Sequence, residues 1–242
     1  MDEAGAVGSM GSCEGRVVIV TGAGRGLGRA HALAFAAEGA KVVVNDLGVS
    51  RDGDGPAGGP AHEVVAEIRS MGGEAVANGS DVADWGEAEA MVAQAVEAFG
   101  SLDCAFNNAG ISGGRDRLLT ADYLEEDWDR VISINLKGVW LCMKAEIPQM
   151  LKQGGGAIVN TASIAGLVGL TGTIAYVAAK HGVTGLTKAA AMEYAKSGIR
   201  VNAVCPGYIH TPLVQRVFDD NEGYEERVAS RHPIGRLGEP SE

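Results

Sequence analysis

The 242-residue chain has no apolar run approaching the roughly 18 residues that a bilayer-spanning helix needs. Its first 14 residues, MDEAGAVGSMGSCE, are acidic and glycine-rich. They lack the basic start and apolar stretch of a signal peptide and read as a flexible tail ahead of a single domain over 15–242. Cysteine is scarce. Cys13, Cys104, Cys142 and Cys205 are widely spaced with no CxxC pair, which argues against structural zinc and fits a reduced, cytoplasmic setting. No His/Asp/Glu cluster has metal-ligand spacing, so no metal is expected. Basic residues are also in deficit: 20 Lys and Arg face 31 Asp and Glu, for a net charge of −11. That argues against a nucleic-acid or anionic-membrane surface, while leaving room for a small anionic ligand at a local site.

What is abundant is glycine, with 36 residues against a usual share of about 7%. The glycines are dispersed, so tight turns and close backbone approaches explain them better than low complexity. Between them, short apolar runs alternate with helical periodicity. RVVIVT (16–21), KVVVND (41–46), EAVANGS (74–80), LDCAFNNA (102–109), GAIVNTAS (156–163) and IRVNAVCPG (199–207) read as strands. Helices are expected over 28–40, 61–73, 85–100, 125–153 and 174–198. Near-continuous apolar strands between helices imply one α/β domain: a Rossmann-type doubly wound parallel sheet with helices on both faces. The stretch 47–60 is a Gly/Pro-rich loop. Its DGDG lacks the spacing and closing Glu of a calcium loop. Residues 208–242 suit a mobile helical flap.

Two constellations carry chemistry. TGAGRGLG (21–28) follows the first strand and opens the first helix, where glycines let main-chain amides approach a pyrophosphate. The fitting pattern is TGxxxGxG, with Gly22, Gly26 and Gly28; Arg25 and Leu27 lie within it. Asp46 ends the second strand, placed to accept from a ribose 2′-hydroxyl and repel a 2′-phosphate. That favours NAD. Arg25 pulls toward NADP, which stays the alternative. The second constellation is AYVAAKHGVTGL (175–186), with Tyr176 and Lys180 one helical turn apart. The pair could be a half-buried core tyrosine with a snorkelling lysine. With a cofactor site in the same chain, it reads instead as a proton carrier beside a cation that lowers its pKa. His31, His181 and the three tryptophans read as packing or helix-surface residues.

These motifs, together with DVAD (81–84), NNAG (107–110), NLKG (135–138), Ser163 and Thr211, resemble in register those of the short-chain dehydrogenases/reductases. The resemblance spans residues 16 to about 240. It implies a catalytic tetrad of Asn135, Ser163, Tyr176 and Lys180, with Asn135 binding a water behind Lys180. It also implies that Asp81 and Val82 border the adenine. Asn107, Asn108, Ala109 and Gly110 would line the cofactor or brace the sheet. Pro206, Gly207, Ile209 and Thr211 would lie near the nicotinamide. The implied reaction is hydride transfer between the cofactor and a secondary alcohol or ketone, in a homodimer or homotetramer. Two alternatives are an NADPH-dependent 3-oxoacyl-thioester reductase and a catalytically silent nucleotide-binding protein. Relative to the family pattern, a further helix and a seventh strand are expected to be missing after residue 242. The wall segments IAGLVGLTGT (164–173) and the flap are largely apolar, so an uncharged small-molecule substrate is expected.

Overall fold

A computed structural model describes residues 11–48, 59–113, 117–219 and 223–242. The DGDG loop lies outside the described residues.

Six strands form one parallel sheet: β1 (Val17–Val20), β2 (Lys41–Asn45), β3 (Glu74–Asn78), β4 (Cys104–Asn107), β5 (Gly156–Thr161) and β6 (Ile199–Val204). Their spatial order is β3-β2-β1-β4-β5-β6. Each pair of neighbours is parallel. The central strands β1 and β2 are Val- and Ile-rich and almost wholly buried, as expected where both faces are covered. Alternation along β1 divides the core in two. Val18 and Val20 pack with α1 (Gly26–Ala37) and α2 (Gly59–Ser70). Val17 and Ile19 face α3 (Trp85–Phe99), α5 (Val139–Gln153) and α6 (Ile174–Tyr194).

Local signals set the helix limits. The Asp84 carboxylate accepts from the Glu87 amide and starts α3, and Gly100 in the left-handed region ends it. Between them Ala88, Met91, Val92 and Ala95 form a buried stripe of helical spacing. The expected helix over 125–153 is continuous but irregular. α4 (Glu125–Ile132) runs into a π-turn over Ser133–Gly138 and then into α5. π-turns often accompany functional sites, and this one holds Asn135. The flap comprises α7 (Pro212–Asp219) and α8 (Tyr224–Ala229) around a small aromatic core of Phe218, Tyr208 and Tyr224. Residues 12–15, which straddle the tail boundary expected at 14, are tied down. The amides of Cys13 and Gly15 donate to the carbonyls of Glu38 and Gly39, both at 3.0 Å. Strand order reverses between β1 and β4, and a ligand crevice opens there, at the carboxyl ends of the strands.

Candidate active site

The crevice begins at the glycine loop. Gly22 has φ +61°, and a Cβ on it would lie 2.8 Å from the Ala109 Cα, so β1 and β4 can approach here only without a side chain. Gly24, which the TGxxxGxG reading passes over, has its own role. A Cβ there would lie 2.6 Å from Oδ2 of Asp46, whose carboxylate accepts from the Gly24 amide at 2.8 Å. The other oxygen accepts from the Gly48 amide at 2.8 Å. Two main-chain amides thus fix the acid at the end of β2. The extra glycine in TGAGRGLG was the available signal.

The expected cofactor residues divide three ways. Gly22, Arg25, Gly26, Leu27, Asp46, Asp81, Val82, Asn108, Ala109, Gly110, Tyr176, Lys180 and Thr211 line one continuous groove. Pro206, Gly207 and Ile209 line an adjoining pocket that also contains Ser163, Tyr176 and Thr211. Gly28 lines neither; a Cβ there would lie 2.1 Å from the Gly22 carbonyl oxygen, so it permits helix–loop packing instead. Asn108 also stitches the strand ends. Its Nδ2 donates to the Thr21 carbonyl at 3.0 Å, and its amide to Thr21 Oγ1 at 2.9 Å. Asn107 is buried behind the groove and donates to Glu146 and Asn160.

The groove meets the pocket at Tyr176. Lys180 is buried, and its Nζ donates to the Thr161 carbonyl at 2.7 Å while lying 5.6 Å from the Tyr176 ring centroid. Burial lowers the Lys180 pKa to about 8, opposed by the nearby Cys205 thiol. Burial raises the Tyr176 phenol above its ordinary value, while a hydrogen bond from Ser163 pulls it down. Burial outweighs that hydrogen bond, and the Lys180 ammonium, 5.6 Å from the ring centroid, is bound to Thr161. Ser163 is itself held in place, its Oγ accepting from the Ala165 amide at 3.1 Å. Thr161, whose carbonyl anchors the lysine, was not singled out from the sequence; its place two residues before Ser163 was the only hint.

Asn135 is fully buried, and its side-chain amide makes a pair of bonds to one residue. Oδ1 accepts from the Ile111 amide and Nδ2 donates to the Ile111 carbonyl, both at 2.8 Å. Its side chain therefore clamps the loop after β4 to the π-turn, next to Lys180. His31 stacks at 4.2 Å on Phe106, and His181 bonds its own helix through Val177, so neither enters the site.

A sequence profile described as short chain dehydrogenase matches residues 16–222. The chain belongs to the short-chain dehydrogenases. This dehydrogenase is 49% identical over 227 residues to a cyclohexanol dehydrogenase of Acinetobacter sp. (strain SE19), covering 94% of this chain and 84% of that protein. It is 44% identical over 224 residues to a 3-oxoacyl-(acyl-carrier-protein) reductase of Staphylococcus aureus, covering 93% and 85%. Among solved structures it resembles levodione reductase, with a TM-score of 0.86 and 38% identity, over 94% of this chain and 87% of that one. The dehydrogenase is accordingly an NAD(P)-dependent oxidoreductase acting between secondary alcohols and ketones. The glycine loop suits such a dinucleotide, because Gly22 and Gly26 line the groove at the N-terminal end of α1, where main-chain amides can meet a pyrophosphate.

Proposed function

We propose that this enzyme prefers NAD, and that it interconverts an apolar, ring-sized secondary alcohol and its ketone through Asn135, Ser163, Tyr176 and Lys180. The observation that carries the reading is the junction at Tyr176, the one titratable side chain among the residues that line both the dinucleotide groove and the apolar pocket, with Lys180 on the groove side and Ser163 on the pocket side. A nicotinamide held in the groove by Tyr176, Lys180 and Thr211 would supply or accept the hydride. The Ser163 hydroxyl donates to the substrate oxygen. In reduction the Tyr176 phenol passes its proton to that oxygen as negative charge builds on it. Lys180, kept in place by the Thr161 carbonyl, stabilises the phenolate left behind. In oxidation the proton moves the other way. Asn135 is a positioning residue that holds Ile111 and the π-turn against this centre.

The NAD preference rests on Asp46, because two amides hold its carboxylate where it opposes a 2′-phosphate. The pocket has a volume of about 160 Å³. An engineered apolar cavity of about 150 Å³ accepts benzene, so the space suits one six-membered ring. The cysteines are free, which agrees with a reducing, cytoplasmic setting. The thioester-reductase alternative draws on the Staphylococcus relative and on Arg25 at the groove. Oxidation of NADH and of NADPH with cyclohexanone and with acetoacetyl-CoA separates the two. Faster turnover of NADPH with the thioester would overturn the proposal.

A further inference from the structure

The far wall of the substrate pocket is not uniformly apolar. Arg117 and Tyr208 both line it, and Tyr224 stands behind them as a bridge. These residues come from three separate segments: the loop before α4, the segment after Pro206 and Gly207, and the start of α8. An Nη of Arg117 lies 3.4 Å from the Tyr224 hydroxyl, and the guanidinium sits 5.2 Å from the centre of that ring. Arg227 lies 4.7 Å from the same ring. The Tyr224 hydroxyl lies 3.1 Å from that of Tyr208. Gly172 helps to place Arg117, since a Cβ on that residue would lie 2.8 Å from the arginine Cβ. Among the described residues neither Arg117 nor Arg227 has a carboxylate partner, in a chain of net charge −11.

The chemistry of this chain of groups is fixed at its arginine end, while either hydroxyl can donate in the Tyr224–Tyr208 contact. A guanidinium only donates, so the Tyr224 oxygen accepts from Arg117. When Tyr224 gives its own proton to the Tyr208 oxygen, the Tyr208 O–H remains as an unspent donor at the pocket wall. A ring substrate with one oxygen at Ser163 and Tyr176 leaves this donor without a partner. A ring with a second oxygen satisfies it.

We propose that Tyr208, backed by Tyr224 and Arg117, is a specificity subsite for a second, uncharged oxygen on the substrate ring. This rests on the dehydrogenase reading of the same site. A site built to hydrogen-bond an oxygen discriminates against the analogue lacking it, because its own polar group is then left unpaired.

The test is steady-state NADH oxidation by the purified chain with cyclohexanone, 1,4-cyclohexanedione and 4-oxocyclohexanecarboxylate. Wild type, Tyr208→Phe and Arg117→Met are compared, each shown to be folded by its thermal melt. The expected wild-type preference in kcat/KM, dione over monoketone, is about tenfold or more after correction for the dione's two carbonyls. In Tyr208→Phe that ratio falls about tenfold, mainly through KM of the dione, and Arg117→Met moves it the same way by less. A ratio unchanged in both variants, with the wild type active on the rings, overturns the subsite and leaves the function standing. A preference for the keto acid that Arg117→Met abolishes also overturns it, since the arginine would then be pairing directly with an anion. Absence of wild-type turnover on every ring overturns the function and the subsite together.

Discussion

Glu146 is a carboxylic acid with no access to water. It lies on α5, its Oε2 accepts from Asn107 Nδ2 at 3.1 Å, and its Oε1 has no partner among the described residues. Oδ1 of Asn107 is unpartnered too. Both orphan atoms are acceptors, on side chains that already touch, so a single donor is what the pair lacks. A proton on Glu146 supplies one, and burial raises its pKa from 4.5 to about 8 even against the bond from Asn107. Glu146→Gln makes that neutrality permanent and adds an N–H donor. The sign of the effect follows from protonation in the two states. Between 4.5 and about 8 the folded chain holds a proton that the unfolded chain has released, so wild-type stability falls as pH rises through this window. The loss is about 1.4 kcal/mol per pH unit, reaching about 3 kcal/mol at pH 7, against a typical total stability of about 5–15 kcal/mol. Urea unfolding of both proteins at pH 5, 7 and 8.5 measures it. The variant's advantage should be small at pH 5 and grow by about 2–3 kcal/mol by pH 7. An offset that is the same at all three pH values would refute the argument, because Glu146 would then be ionised in the folded protein or no longer buried.

Three further outcomes are expected. Tyr176→Phe should bind NADH, as read by fluorescence, while losing about 10²–10⁴ in kcat, because only the proton carrier is removed; near-normal turnover would refute its role. Asp46→Ala should raise the kcat/KM ratio for NADP over NAD by about tenfold to a hundredfold, as the fixed carboxylate is lost; a wild type already preferring NADP would show that Arg25 outweighs Asp46. Helices α5 and α6 expose Trp140 and Met192, at 47% and 83%, and the chain should pair through them. Light scattering should then report a dimer or larger for wild type and a smaller mass for Trp140→Glu, whereas equal masses would place the interface elsewhere.

Most of the fold was legible because the strands are short apolar runs, Val- and Ile-rich in β1 and β2, and because caps can stand in the sequence, as Asp84 and Gly100 do for α3. The Tyr176–Lys180 spacing was legible for the same reason: both sit on one regular helix. What could not be read depends on contacts between distant segments. The periodicity of 125–153 is helical throughout, and nothing in it marks the π-turn or the commitment of the Asn135 amide to Ile111. Glu146 looks like an ordinary helix-surface acid until the sheet closes over it. That burial raises the Tyr176 phenol could not be read either, because charge spacing is visible in a sequence and desolvation is not. Arg117, Tyr208 and Tyr224 are separated by up to 107 positions and share no pattern.

The π-turn at 133–138 also constrains how this chain can change its length. One residue more than an α-helix needs turns α5 by about 100° relative to α4 and advances it about 1.5 Å. Deleting any one residue there would restore regular i→i+4 bonding and make the helix, taken alone, more stable. It would also rotate Val131 and the rest of α4 out of phase with Glu146 and the sheet-facing side of α5, and pull Asn135 away from Ile111. Single-residue deletions in this segment should therefore give proteins with undiminished helical signal and a disordered loop after β4. In a deletion scan, such variants would separate from those that simply fail to fold.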